Sequence, residues 1–483
     1  MKNFGNLLLA CMAALLGACA GESAGKCDAV VRIDADSVVN RGYIGNGVQW
    51  DPYALDYGKG RVEISDADWA KLYARLDFMR PAFIRVMTNT TSVVRNGRLD
   101  RMRGFEHLSH ILGYCQSRGV TVMFGDWGGS LMDARAGTVN RTLLDHAAAY
   151  VAWLVGEKGY DCIRYYNLVN EPNGFWSAAD GDFDLWAKAV SYFRGRLDAE
   201  GLAGKVELVG PDAAIWGPEE AWWVSRSRDE LGDRIGLYDI HTYPSKCTVN
   251  SGEYTRILEA YRREVPAGKK IVMGEIGFKF VEPADSLLQA ENLRRAAAHP
   301  NASTDDSQMF VYDPMYGTDM ADALFQTIHA GYSGCIAWML DDAMHFKEAP
   351  DKLKIWGFWN IFGDEIFGAG EERVRPWYYA WSLLCRTLRP GSDFFAADVR
   401  GAAGVKAVAV VNVSREPRRV RIECPGWERF RQATRYRYGE GLMRTEGDHT
   451  LLPDATGLRI DFRSGAEYDM PGESMILLTE QND

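Results

Sequence analysis

Two glutamates, Glu171 and Glu275, stand where they could act together on one bond. Each follows or ends a short apolar run, Tyr-Tyr-Asn-Leu-Val-Asn-Glu-Pro (165–172) and Lys-Ile-Val-Met-Gly-Glu (270–275). Such runs predict buried strands, so each carboxylate should lie at the carboxyl-terminal edge of its strand. Two carboxylates on one rim can cleave a glycosidic bond, one acting as the acid and the other as the nucleophile.

Strand-like runs alternate with amphipathic helical patterns from about Gly42 to Arg389. The eight strand candidates are Tyr43–Val48, Phe83–Met87, Thr121–Phe124, Tyr165–Val169, Glu207–Val209, Leu237–Ile240, Ile271–Met273 and Cys335–Met339. Eight strand–helix repeats predict an α/β fold, a closed (β/α)8 TIM barrel. An open doubly wound sheet is the alternative, but Gly45-Asn46-Gly47 lacks the full spacing of a Gly-rich phosphate loop.

The pattern changes after Pro390-Gly391. The run 405–413 and the segments 419–422 and 474–478 read as strands separated by turn residues, which predicts a small antiparallel β-sandwich. A strand near Val30 could complete it. The predicted organisation is a signal peptide with its cysteine (1–19), a tether and joining strand (20–40), the catalytic barrel (41–390) and an accessory sandwich (391–483).

The first residues predict export. Lys2 precedes an apolar stretch from Leu7 to Leu16, too short to span a membrane stably, and Leu16-Gly17-Ala18-Cys19 follows. That segment resembles the lipobox of bacterial lipoproteins, which implies a lipid on Cys19. An ordinary secretory signal is the alternative. We expect the protein to be exported and anchored to the bacterial cell envelope by lipid alone, in the periplasm or at the cell surface.

The composition fits a large enzyme better than a nucleic-acid-binding protein. A net charge of −11 over 483 residues argues against a nucleic-acid partner. The 15 tryptophans offer flat surfaces for sugar rings. The cysteines form neither a disulfide framework nor a Cys-x-x-Cys or His–Cys cluster, so we predict no metal and no cofactor, and we expect Cys115, Cys335 and Cys385 to be buried free thiols. The oligomeric state is left open.

Several further polar and aromatic residues fall at the predicted strand ends, which form the functional rim of a parallel barrel. We predict that Arg85 keeps Glu275 ionised and that Tyr243 donates a hydrogen bond to it. The candidates for binding substrate are Arg85, Asp126, Trp127, Asn170, His241, Tyr243 and Trp338 near strand ends, and Trp50 and Trp176 in the following loops, where Phe175 and Trp216 also lie. For Asp126 and His241 a supporting structural role is an equal alternative.

The chain resembles the clan of retaining glycoside hydrolases with (β/α) barrels, which includes family 5 cellulases and family 39 xylosidases. The resemblance rests on Asn170-Glu171-Pro172 at strand four and Met273-Gly274-Glu275 at strand seven, and it covers roughly residues 40–390. It implies that Glu171 is the acid/base, Glu275 the nucleophile and Asn170 a contact of the sugar 2-hydroxyl. Asp126-Trp127-Gly128-Gly129 departs from the clan, whose members often carry His or Asn after strand three.

The sequence therefore predicts a retaining glycoside hydrolase acting on β-linked, or stereochemically equivalent, sugars of an extracellular polysaccharide or oligosaccharide. The alternatives are a non-catalytic glycan-binding lipoprotein on the same barrel and a transglycosylase with the same residues. A long polar segment, roughly residues 279–318, is predicted to wall the pocket, which weakly favours exo action over an open endo cleft.

Overall fold

A closed barrel of eight parallel strands forms the larger part of the protein. The computed structural model describes residues 27–53, 63–342, 352–397, 401–404, 407–427 and 429–480. In chain order the barrel strands are Gly45–Gln49, Phe83–Thr88, Thr121–Asp126, Ile163–Asn167, Glu207–Ile215, Ile235–Thr242, Lys270–Ile276 and Gly334–Ala337. Each strand pairs in parallel with its neighbours and the eighth closes on the first. The predicted (β/α)8 barrel is confirmed, but the fifth strand runs well beyond its predicted end at Val209.

Helices connect the strands around the outside of the barrel. The α-helices span Asp66–Met79, Phe105–Arg118, Arg141–Ala152, Phe183–Ala199, Trp222–Arg226, Lys246–Asn250, Glu253–Glu264, Ser286–Ala298, Pro314–His329, Gly363–Ile366 and Trp377–Thr387. The helix Ser286–Ala298 lies inside the segment predicted to be a long loop. It buries only Asn292 and Ala296. Few apolar residues therefore mark one face of this helix in the sequence, and the flanking prolines made the segment resemble a loop.

Side chains that point into the barrel change character along the strands. Phe83, Leu237 and Ile336 belong to a buried apolar cluster in the barrel interior. Because side chains on the same face of a strand recur every second residue, the next inward positions toward the carboxyl ends include Arg85 and Asp239. Apolar side chains thus fill the part of the barrel nearer the starts of the strands. The polar and titratable groups gather at the opposite mouth.

Two smaller sheets pack against each other beyond the barrel. One contains Phe394–Ala397, Ala29–Asn40, Arg418–Glu423 and Ala466–Met470; the other contains Gly401–Gly404, Ala407–Asn412, Ser474–Thr479, Phe430–Tyr438 and Ala455–Ile460. Pairing is antiparallel except where the N-terminal strand runs parallel to Arg418–Glu423. The Tyr438 hydroxyl donates to the carbonyl of Pro314 (2.7 Å), which ties the sandwich to a barrel helix.

The predictions about cysteines and membrane contact have different outcomes. Cys115, Cys335 and Cys385 are buried and free, as predicted. No helix in the described part of the chain has both the length and the apolarity needed to cross a bilayer. Residues 1–19, with the predicted lipidation site Cys19, lie outside the described residues, so the anchor stays a prediction.

Candidate active site

The two glutamates lie close together at the carboxyl-terminal mouth of the barrel. Glu171 follows the fourth strand and Glu275 lies near the end of the seventh. One carboxylate oxygen of each, together with a ring nitrogen of His241, falls within a mutual distance of 4.8 Å. Retaining glycosidases hold their two carboxyl groups roughly 5 Å apart and inverting enzymes roughly 6.5–9.5 Å apart. The close approach of the Glu171 and Glu275 oxygens fits the retaining arrangement.

Glu275 is buried and held on both oxygens. Arg85 donates from Nη1 to Oε1 (2.5 Å), and the Tyr243 hydroxyl donates to Oε2 (2.7 Å). These are the two contacts predicted from the sequence. Burial raises the pKa of Glu275, and the charges of His241 and Arg85 and the bond from Tyr243 oppose the rise. Both donors also fix the orientation of the carboxylate.

Glu171 is half-buried and stands on a strained backbone. Its φ is +47°, a left-handed conformation that is uncommon outside glycine and concentrates at functional sites. His241 Nδ1 lies 3.1 Å from Oε1, and the Trp176 indole N–H donates to Oε2 (2.7 Å). The acid candidate is therefore oriented from the barrel interior on one side and from the surface on the other.

Arg85 links the two halves of the site. Its guanidinium is fully buried and donates to Glu275, to Asn170 Oδ1 (2.8 Å), to Asp212 Oδ2 (3.2 Å) and to Gln49 Oε1 (3.1 Å). The bond to Asn170 uses its amide oxygen, so the amide nitrogen is the group of that residue that could donate to a ligand. A guanidinium with several fixed donors suits this bridging position better than an ammonium group.

Asp212 is a site residue that the sequence reasoning missed. Its φ is +59°, and Oδ2 accepts the backbone N–H of Glu171 (3.3 Å). His241 Nε2 lies 2.9 Å from Oδ1. Asp212 was missed because the predicted fifth strand ended at Val209, whereas the strand runs to Ile215. The signal that could have found it is an acidic residue inside the otherwise apolar run Leu-Val-Gly-Pro-Asp-Ala-Ala-Ile (208–215).

His241 bridges Asp212 and Glu171 and is fully buried. Burial disfavours its charge, but Asp212 and Glu275 outweigh burial and raise the pKa of His241 well above its ordinary value. For the buried Asp239, near His241, burial and the neighbouring Asp212 raise the pKa well above the usual carboxyl range. Only glycine fits at position 274, because a Cβ there would lie 2.1 Å from Asp239 Oδ2.

The carboxyl of Asp51, which follows the first barrel strand, is expected to make the free energy of unfolding depend on pH. It is buried and accepts from Gln49 Nε2 (2.5 Å) and from the backbone N–H of Met87 (2.7 Å). Burial raises its pKa from 3.8 to about 7. At pH values between these two, Asp51 is protonated in the folded state and ionised in the unfolded state. The free energy of unfolding therefore falls as pH rises, by up to about 4 kcal/mol from this group.

Asp51→Asn should remove that contribution. Urea unfolding of both proteins between pH 4 and pH 8 checks this: the wild type should lose more stability than the variant as pH rises. Parallel curves would show that Asp51 titrates normally.

Two aromatic pairs line the mouth. The half-buried Trp127 and Trp338 lie at right angles (87°) with ring centroids 6.3 Å apart, and the Trp127 ring is 5.8 Å from the Arg85 guanidinium. Trp176 and Trp216 are exposed and form a second pair at 6.1 Å. Aromatic faces of this kind can stack on the C–H faces of sugars.

The substrate contacts predicted for Trp50 and Arg85 are wrong, because neither side chain has exposed surface. For Asp126 and His241 the structure agrees with the alternative, a supporting structural role. Trp50 has no exposed surface, because it packs between Trp69 and Tyr114 in the core. Asp126 is buried and accepts bonds from Thr90 and the backbone of Gly128, so it fixes a loop. His241 is likewise buried and contacts Glu171 instead of facing open space. A strand-end position is therefore insufficient to identify a substrate contact, because the loops can cover it.

The site atoms are also close enough to hold a metal ion. Two groups among the described residues have ligand atoms within 4.8 Å of one another: Glu171, His241 and Glu275, and Asp212, Asp239 and His241. In both groups a short contact joins a carboxylate oxygen to a ring nitrogen of His241, 3.1 Å for Glu171 and 2.9 Å for Asp212, and both are hydrogen-bonding distances. A proton on His241 accounts for this geometry.

Comparisons with known proteins agree with the fold. No protein-family model matches the chain, and no curated protein matches it. Solved structures do. A monomeric β-xylosidase from Caulobacter crescentus CB15 is 13% identical with a TM-score of 0.59, covering 93% of this chain and 99% of that one. A GH30 endoxylanase from Clostridium papyrosolvens C71 is 12% identical (TM-score 0.62; 93% and 99%).

A glucosidase from Croceicoccus marinus is similar at 10% identity (TM-score 0.61), covering 94% of this chain and 99% of that one. At such low identity the likeness establishes the fold: a (β/α)8 barrel with an added β-sandwich, the architecture of these glycoside hydrolases. The likeness therefore confirms the predicted fold.

Proposed function

We propose that the protein is a retaining glycoside hydrolase that cleaves β-linked, or stereochemically equivalent, bonds of a polysaccharide or oligosaccharide. The observation that carries the proposal is the approach of Glu171 and Glu275 oxygens to within 4.8 Å at the barrel mouth. The similar structures are a xylosidase, an endoxylanase and a glucosidase, which supports xylose- and glucose-containing substrates as the first to test.

The reaction proceeds by two displacements. Glu275 attacks the anomeric carbon while the protonated Glu171 gives its proton to the departing oxygen, so a glycosyl ester forms as the glycosidic bond breaks. Arg85 and Tyr243 hold the attacking carboxylate in position. Water then attacks the anomeric carbon, Glu171 takes its proton, and Glu275 leaves as a carboxylate. The two inversions retain the configuration.

The decisive experiment incubates the purified protein with 4-nitrophenyl β-xyloside, 4-nitrophenyl β-glucoside and a panel of β-linked polysaccharides. Proton NMR of the first product should show the β-anomer before mutarotation. An α-anomer would overturn the two-displacement mechanism. Binding without release of sugar would favour the non-catalytic glycan-binding alternative, and elongated products would favour transglycosylation.

The proposed place of action is the bacterial cell envelope. Leu16-Gly17-Ala18-Cys19 supports a lipid anchor on Cys19. Cys19→Ser should move the expressed protein from the membrane fraction to the soluble fraction. An unchanged distribution on immunoblots would remove Cys19 as the anchor.

A further inference from the structure

Three exposed aromatic side chains form a platform beside Glu171. Phe175, Trp176 and Trp216 are 83%, 48% and 52% exposed. Trp176 lies at the centre, with its ring centroid 4.9 Å from that of Phe175 and 6.1 Å from that of Trp216, each pair close to perpendicular. Contiguous exposed aromatic surface is costly in water and marks binding sites on soluble proteins.

The platform is held in place by hydrogen bonds between its two loops. The Asn173 carboxamide accepts the backbone N–H of Ala214 (2.9 Å) and donates to the carbonyl of the same residue (2.7 Å). Beyond Trp216, the Tyr261 hydroxyl donates to the carbonyl of Gly217 (2.6 Å). The rings are therefore preorganised, which lowers the entropy lost when a ligand binds.

Gly174 allows the Trp176 indole to lie over its own loop. A Cβ at position 174 would be 2.3 Å from the indole ring. In this position the indole N–H reaches Glu171 Oε2 (2.7 Å), while His241 contacts Oε1 from the interior. One side chain thus offers its ring to the solvent and its N–H to the proposed acid.

The chemistry decides which sugar the platform faces. The acid must touch the departing oxygen, so the departing sugar lies on the Glu171 side of the cleaved bond. The Trp127 ring lies 5.8 Å from the guanidinium of Arg85, which holds the nucleophile, and Trp338 packs against Trp127. They therefore belong to the sugar that is transferred, and the exposed pair on the Glu171 side belongs to the sugar that leaves.

Given the proposed function, we propose that Trp176 and Trp216 bind the departing sugar and that Trp176 also orients Glu171. The preferred substrate is then a β-linked oligosaccharide or polysaccharide with at least one sugar on the departing side. A glycosyl fluoride, whose leaving group needs neither a proton nor a sugar site, uses neither function of Trp176. Trp176 is a positioning residue as well as a specificity determinant.

The test compares xylotetraose with β-xylosyl fluoride, or cellotetraose with β-glucosyl fluoride, for whichever sugar the wild-type protein cleaves. Fluoride departs without a proton and fills no sugar site. The measured quantity is kcat/KM, which reports steps up to formation of the glycosyl ester. Trp216→Ala should lower kcat/KM for the tetrasaccharide about tenfold, as expected for a lost stacking contact of about 1.4 kcal/mol, and change it less than about twofold for the fluoride.

Trp176→Phe keeps an aromatic ring but removes the N–H. It should lower kcat for the tetrasaccharide with KM nearly unchanged, and it should leave kcat/KM for the fluoride unchanged. Trp222→Ala is the control, since Trp222 is also exposed but its ring contacts run to Phe183 and Trp223. It should behave as wild type on both substrates.

Other outcomes count against the role of the platform alone or against the proposed function as well. Equal losses on both substrates, or an unchanged tetrasaccharide rate in Trp216→Ala and Trp176→Phe, would overturn the role of the platform while leaving the proposed function intact. A wild-type protein that cleaves neither the fluorides and tetrasaccharides nor any member of the panel of β-linked polysaccharides would overturn both.

Discussion

Glu275→Ala is expected to abolish turnover of every substrate, including those with good leaving groups. In the proposed mechanism Glu275 forms the glycosyl ester, and no other carboxylate of the described site is held by both Arg85 and Tyr243. The loss of kcat should be about 10⁴-fold or more, the scale on which removal of a covalent nucleophile acts. Initial rates on a 4-nitrophenyl β-glycoside measure it.

The folded state should survive this change, because Arg85 keeps its bonds to Asp212, Asn170 and Gln49. Glu275→Gln, which preserves the shape of the side chain, guards against a packing defect. Glu207→Ala is the matched control, since Glu207 is an exposed glutamate at the start of the fifth strand, at the opposite end of the barrel.

Azide gives a stereochemical check on the same variant. In Glu275→Ala the small anion can enter beside Arg85 and attack the sugar directly while Glu171 still acts as acid, giving a glycosyl azide of inverted configuration. Substantial residual activity without azide would show that Glu275 is not the nucleophile.

Glu171→Ala is expected to separate substrates by their leaving groups. For a β-linked oligosaccharide, whose departing alkoxide needs a proton, kcat/KM should fall about 10²–10⁴-fold. For a 2,4-dinitrophenyl β-glycoside the first step should be nearly unaffected, because that leaving group departs as an anion. The glycosyl ester should then accumulate, since no base remains to activate water, and a burst of dinitrophenol should precede a slow steady state.

Azide should restore turnover of the dinitrophenyl glycoside by Glu171→Ala, because azide attacks the ester without a base. Its product should be the azide of retained configuration, opposite to that from Glu275→Ala. Equal losses on both classes of substrate, with no rescue, would remove Glu171 from the acid/base role.

The pairing of Glu275 with Arg85 and Tyr243 could be predicted because all three stand at or near the ends of predicted strands, and the carboxyl ends of parallel barrel strands meet at one mouth. The same reasoning failed for Trp50, since the packing of the following loop decides whether a strand-end side chain meets solvent. It also missed Asp212, because the predicted fifth strand ended at Val209 whereas the strand runs on to Ile215.

The sequence alone determined the eight strand–helix repeats, the two glutamates about a hundred residues apart and the change to short β segments after the barrel, because these follow from local periodicity and residue type. Only the tertiary structure decided that His241 bridges Asp212 and Glu171, that Trp176 donates to the proposed acid, and that Trp50 is enclosed. Those contacts join residues from separate strands and loops. Their distances depend on closure of the barrel and on loop packing, which no local pattern encodes.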